Sequence, residues 1–107
     1  ELTEASACNV FIVKNEVVIT PPLDNQLLPG ITRNMLLDIL RKDGTLHVQE
    51  RMISMSEVRT ADELWLTSSS KEIAPVVELD GKPVGKGNVG NIWLLAQSLY
   101  AANKHRY

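Results

Sequence analysis

The sequence predicts a mixed α/β (α+β) domain, and three observations predict it. Short β-branched and aromatic runs such as "CNVFIVK" and "ELWLT" have the length and composition of buried strands. Two longer segments, one from about Thr32 to Lys42 and one carrying Ile92, Leu95, Ala96 and Leu99, repeat apolar residues at the three-and-four spacing of an amphipathic helix. Strands and helices alternate along 107 residues, a length that holds one modest hydrophobic core.

Each element can be justified in turn. Cys8 to Lys14 and Val17 to Thr20 are two strands about the polar pair Asn15-Glu16, which makes a β-hairpin. "PPLDNQLLPG" is a loop, opened by two prolines and closed by Pro29-Gly30. A helix follows from about Thr32 to Lys42, with Thr32 as its cap and Gly44 as its stop. Met35, Leu36, Ile39 and Leu40 form its apolar face. "LHVQERMI", Leu46 to Ile53, alternates like a half-buried strand. Ser54 and Glu57 have capping-box spacing, which predicts a short helix over Met55 to Thr60. Glu63 to Thr67 is a strand that runs into Ser68, Ser69 and Ser70. "IAPVVELDGKPV" reads as a second hairpin with Asp80-Gly81 at its turn. The last helix follows "VGKGNVGN", with Ile92, Leu95, Ala96 and Leu99 on one face. Phe11 and Trp65 are expected in the core.

Composition narrows the function. Eleven Lys and Arg stand against 13 Asp and Glu, a net charge of -2. That balance supports neither a nucleic-acid surface nor a polybasic membrane patch. The single cysteine, Cys8, forms no internal disulfide and suits a reducing, cytoplasmic compartment. No apolar run approaches the roughly 20 residues of a membrane-spanning helix. The chain opens on Glu1 rather than methionine and soon enters a strand, so it is expected to be a portion of a longer protein.

Two short hydroxyl-bearing turns could carry chemistry. One is Gly30-Ile31-Thr32 at the first helix start, and the other is Thr67-Ser68-Ser69-Ser70 at a strand end. Helix starts attract acids because the macrodipole is positive there. Ile31, Thr32, Arg33 and Asn34 include none. Backbone N–H groups beside hydroxyls suit a phosphate dianion, and Arg33 is a candidate for adding a full charge. The structural alternative is that Thr32 merely caps a helix and the serines line a solvated loop.

Other chemistries find less support. His47 and His105 lack metal-ligand spacing, so no metal site is expected. There is no nucleophile elbow, Walker loop or dinucleotide fingerprint. "GKGNVG" follows no suitable buried strand, and Cys8 reads as a small core residue.

Taken together, "TEASACNVFIVK", "LLPGITRNMLL" and "ADELWLTSSSKEIAPVVELDGKPVGKG" resemble, in order and spacing, the class IV aminotransferases, the fold-type IV pyridoxal-phosphate enzymes. The resemblance covers nearly the whole chain and is to the C-terminal part of the family. It implies that residues 1–107 are the C-terminal pyridoxal 5′-phosphate-binding portion. The N-terminal domain and the Schiff-base lysine would then lie outside it, and this portion alone would be inactive. None of Lys14, Lys42, Lys71, Lys82, Lys86 or Lys104 stands in that lysine's context.

By resemblance, Ile31 and Thr32 hold the cofactor's phosphate, Ser69 holds it from the other turn, and Ser68 and Ser70 line the site. Glu4 pairs with the pyridine nitrogen, and Asn9 supports it. The implied activity moves an amino group between an amino acid and a 2-oxo acid in a homodimer. "TSSSKEIAPV" looks most like the D-amino-acid aminotransferase branch. Branched-chain L-amino-acid aminotransferase, aminodeoxychorismate lyase and a non-catalytic phosphate-binding module remain as alternatives.

Overall fold

A computed structural model of the chain describes residues 8–22, 31–68 and 72–106, with the backbone alone for Cys8, Ser68 and Arg106. Its strands are β1 (Cys8–Lys14), β2 (Val17–Thr20), β3 (His47–Glu50), β4 (Glu63–Ser68), β5 (Ile73–Pro75), β6 (Glu78–Leu79) and β7 (Lys82–Pro83). Its helices are α1 (Ile31–Asp43), α2 (Met55–Arg59) and α3 (Asn91–Asn103), followed by a 3₁₀ turn at Lys104–Arg106. The expected α/β character is present, with α1 and α3 as the two main helices.

The main sheet has the order β3-β2-β1-β4-β5. β1 is antiparallel to both β2 and β4, and β3 is parallel to β2. The carboxyl ends of β2, β3 and β4 therefore meet the amino end of β1 at one end of the sheet. Parallel β2 and β3 need a crossover connection, and α1 supplies it.

The β1–β2 hairpin turns at Asn15-Glu16, both with positive φ (53° and 68°), the geometry of a two-residue I′ turn. Asp80-Gly81 does the same for β6 and β7. The expected single hairpin over "IAPVVELDGKPV" divides in two: Ile73–Pro75 pairs with β4, and only β6 and β7 form the hairpin. The "LHVQERMI" strand shrinks to four residues, largely exposed, because β3 lies at the sheet edge with one partner. The capping box on α2 forms as read: Glu57 N donates to Ser54 Oγ (3.1 Å), and Ser54 N donates to Glu57 Oε1 (2.9 Å).

Strand alternation sends side chains to two cores. Phe11, Val13, Val18 and Trp65 face α1 and α3, where Leu36, Leu40, Ala96 and Tyr100 meet them. The rings of Phe11 and Trp65 stack, with centroids 5.9 Å apart. Ile12, Ile19, Ala61, Leu64 and Val84 form a second core on the opposite face. Among the described residues no helix is long and apolar enough to cross a membrane.

Candidate functional site

α1 starts at Ile31, one residue earlier than expected, so Thr32 lies inside the first turn rather than capping it. That turn contains no acid, while Arg41 and Lys42 occupy the last turn, where the dipole favours cations. Gly44, with φ of 78°, closes the helix as its N–H donates to Leu40 O.

Arg33 fixes this turn in space, although not as a ligand-facing charge. Its guanidinium is buried and turned toward the sheet. Nη2 donates to Glu50 Oε2 (2.5 Å) and to Pro21 O (2.9 Å), and Nη1 donates to Asn34 Oδ1 (2.9 Å). Glu50 also accepts from Arg41 Nη2 (3.3 Å). The Arg33 hydrogen bond is the main reason the Glu50 carboxyl is held below its ordinary pKa. Pro21 directly follows β2, and Glu50 ends β3. The amino end of α1 is thereby moored at the sheet end where β2, β3 and β4 finish.

The other hydroxyl segment reaches the same end. Thr67 pairs with Asn9, and Ser68 with Cys8, at the finish of β4. Alternation puts Thr67 on the face shared by Trp65, the face that α1 and α3 cover. Thr67 is completely buried, and its Oγ1 has no hydrogen-bond partner. A buried hydroxyl without a partner is uncommon in a folded protein. Asn9 is half-buried. Glu4, Ser69 and Ser70 lie outside the described residues.

Thr32 is buried as well, and its side chain hydrogen-bonds that of Tyr100, a residue of α3 in the main core. Sequence reading did not single out Tyr100. The signal was present, since Tyr100 lies four residues beyond Ala96 on the apolar face of that helix. Burial pushes the Tyr100 phenol above its ordinary pKa. The Thr32 hydrogen bond opposes that rise, and the charge of Glu72 adds to it.

Glu63 was also missed. Its carboxylate sits on the amino end of α3, accepting from Ile92 N (3.0 Å), Trp93 N (2.8 Å) and Trp65 Nε1 (3.1 Å). The helix start that follows the glycine-rich segment is thus met by an internal carboxylate. His47 and His105 are exposed, and no group of metal-ligating side chains occurs among the described residues.

The chemistry of this end of the sheet fits a phosphate group. A helix start without acids, the Thr32 hydroxyl and the unpartnered Thr67 hydroxyl offer donors, and among the described residues the carboxylate at this end of the sheet, Glu50, is engaged by two guanidinium groups. A mixed sheet with its two long helices on one face and hydroxyls at its strand ends is an architecture suited to a cofactor-binding α/β domain. The chain belongs to the class IV aminotransferase family: the family profile, amino-transferase class IV, matches residues 1–79.

Among its relatives, a probable branched-chain-amino-acid aminotransferase of Aquifex aeolicus is 42% identical over 99 residues, 92% of this chain and 32% of that protein. A D-alanine aminotransferase of Listeria monocytogenes is 39% identical over 92 residues, 86% of this chain and 32% of that protein. The crystal structure of a Brucella abortus aminotransferase bound to PLP superposes with a TM-score of 0.81 at 29% identity, covering 92% of this chain and 34% of that one. The chain thus spans about a third of the length of these proteins.

Proposed function

We propose that this chain supplies the phosphate-holding wall of an enzyme that moves an amino group between an amino acid and a 2-oxo acid with pyridoxal 5′-phosphate. The observation that carries the reading is the acid-free first turn of α1, moored at the same end and face of the sheet as the unpartnered Thr67 hydroxyl. The N–H groups of Ile31 and Thr32 and the Thr32 hydroxyl hold the 5′-phosphate, with Ser69 reaching it from the other turn beside Ser68 and Ser70. Glu4 faces the pyridine nitrogen. When bound, the cofactor supplies an electron sink for the substrate's α-carbon, and a carboxylate keeps its ring nitrogen protonated for that purpose. A homodimeric, cytoplasmic enzyme belongs to the same reading.

For the amino donor, the resemblance of "TSSSKEIAPV" to the D-amino-acid aminotransferase branch favours a D-amino acid. Branched-chain L-amino acids are the second reading, favoured by the 42% identity to the Aquifex aeolicus protein. Rates with D-alanine and with L-leucine separate the two.

The test of the site compares Glu4→Gln with Thr32→Ala in the complete polypeptide that carries residues 1–107. Glu4→Gln keeps every proposed phosphate contact, so cofactor stays bound while turnover falls at least about a hundredfold, equivalent to roughly 2.7 kcal/mol. Thr32→Ala mainly weakens cofactor retention. Unchanged turnover in Glu4→Gln would remove Glu4 from the ring nitrogen. Unchanged retention in Thr32→Ala would remove the phosphate from α1.

A further inference from the structure

Arg33 is a buried cation to which the proposed chemistry gives no task. It is the third residue of α1, beside the N–H groups proposed to hold the phosphate, yet its guanidinium turns to the sheet. Nη2 donates to Glu50 Oε2 and to Pro21 O (2.9 Å), while Nε has no partner among the described residues. A buried ion pair is a poor stabilising device, because desolvation offsets its attraction. Stability alone is therefore a weak account of this pair.

The charge of Glu50 supplies a better one. Its carboxylate is bonded to a side chain from the first turn of α1, so a negative charge stands close to that turn. A dianion at the helix start would meet its repulsion. The start of α3 shows what a carboxylate does there when no cation restrains it. Glu63, in no ion pair among the described residues, takes the N–H groups of Ile92 and Trp93 for itself. At α1 two guanidinium groups restrain Glu50, Arg33 through Nη2 and Arg41 at 3.3 Å. Two positive charges against one negative leave the cluster with one positive charge in excess.

We infer that Arg33 is a positioning residue for the phosphate that acts through Glu50: it holds the carboxylate off the start of α1 and cancels its charge there. The inference rests on the proposed phosphate site. The Arg33 side chain is 4% exposed and that of Arg41 is 50% exposed, so Arg33 is the less screened cation and carries the larger share. Glu50 keeps a third of its side chain in solvent, which limits the effect to a few-fold.

The deciding measurement is pyridoxal 5′-phosphate retention by the complete polypeptide, followed by cofactor fluorescence. Pyridoxal, which lacks the phosphate, is the control probe. Glu50→Gln keeps an acceptor oxygen for Arg33 and removes the negative charge, so retention should tighten about threefold. Arg33→Met leaves Glu50 to Arg41 alone and should weaken retention about fivefold. The double variant has the net charge of the parent cluster and should return close to parent retention. All three changes should shrink at high salt, and pyridoxal binding should hardly alter. Should Arg33→Met fail to fold, Arg41→Gln takes its place, about twofold weaker alone and recovered by Glu50→Gln.

An ion pair that merely moors the turn predicts the opposite sign for Glu50→Gln, since a weakened pair loosens the turn. Retention that is weaker or unchanged in Glu50→Gln overturns the inference. So does a double variant no better than its arginine parent, or an equal change with pyridoxal. If Thr32→Ala leaves retention unchanged, the phosphate site itself is wrong and the role of Arg33 falls with it. If Thr32→Ala weakens retention and Glu50→Gln does not tighten it, the site stands and only the role of Arg33 fails.

Discussion

The amino ends of α1 and α3 carry the same signs in sequence and meet different fates in the fold. Each follows a glycine, Gly30 or Gly90, and neither has an acid in its first turn. Yet α3 is met by a carboxylate 28 residues upstream of its first residue, as Glu63 reaches from β4 to take the N–H groups of Ile92 and Trp93. At α1 the carboxylate that approaches, Glu50, is drawn aside by Arg33 and Arg41. An acid-free helix start is therefore no signature of an anion site. What matters is whether the tertiary structure brings a carboxylate to the helix end or diverts it.

The largest effect expected in this comparison comes from Glu63→Ala. Two helix N–H groups and the Trp65 indole N–H lose a charged acceptor together. Urea unfolding should show a loss of about 3 kcal/mol, the scale of charge-assisted hydrogen bonds left unmade. A loss under about 1 kcal/mol would mean that water or a neighbour replaces the cap, and the contrast between the helices would weaken.

Gly90→Ala should cost less, about 1 to 2 kcal/mol, and through the same group. A Cβ at Gly90 would lie 2.0 Å from Glu63 Cδ, so the carboxylate must leave the helix end. The backbone itself is not the obstacle, because Gly90 has φ of -86°. In a Glu63→Ala background the substitution should therefore be nearly neutral. Additive losses would show that Gly90 is needed for another reason.

Asn34→Asp makes α1 resemble α3 by adding an acid near its start. Stability should rise by about 0.5 kcal/mol from the dipole, with Arg33 Nη1 donating to a charged oxygen in place of an amide. Inorganic phosphate should bind more weakly, because two anions then share one helix end. Unchanged phosphate affinity together with the stability gain would argue against an anion at α1.

The smallest effect concerns acid. Arg51 Nη2 donates to Glu57, and the Ser54 N–H does so too; together they hold the Glu57 carboxyl at about 2. Glu50 is also lowered, chiefly by Arg33. A lowered folded pKa means stability that is complete above the ordinary value of 4.5 and lost as pH falls toward about 2. Arg51→Gln should flatten this acid limb slightly, by lowering stability near pH 7 a little while leaving it unchanged below about pH 2. If the acid limb of the unfolding curve is identical in Arg51→Gln, the Arg51–Glu57 pair contributes nothing to it.

Periodicity carried much of the fold. The β1–β2 hairpin, both long helices, the capping box and the core positions of Phe11 and Trp65 were legible because local alternation and turn chemistry specify them. Boundaries shifted where pairing decided the matter, as in the shortened edge strand β3 and the divided "IAPVVELDGKPV" segment. Within the site, the hydroxyls of Thr32 and Thr67 could be picked from their places beside a helix start and a strand end. Their partners could not, since Tyr100 is 68 residues from Thr32.

By itself, then, the sequence determined which segments become helices and strands, which hydroxyls stand at their ends, and which family the chain resembles. Those are properties of residues within a few positions of one another. The tertiary structure alone decided that Arg33 turns to Glu50, that Glu63 fills the start of α3, and that Tyr100 meets Thr32. Each of these joins side chains from different elements, and their energies depend on distance and burial in three dimensions. A one-dimensional pattern records the charge and the hydroxyl, while the fold decides which groups come close enough to satisfy them.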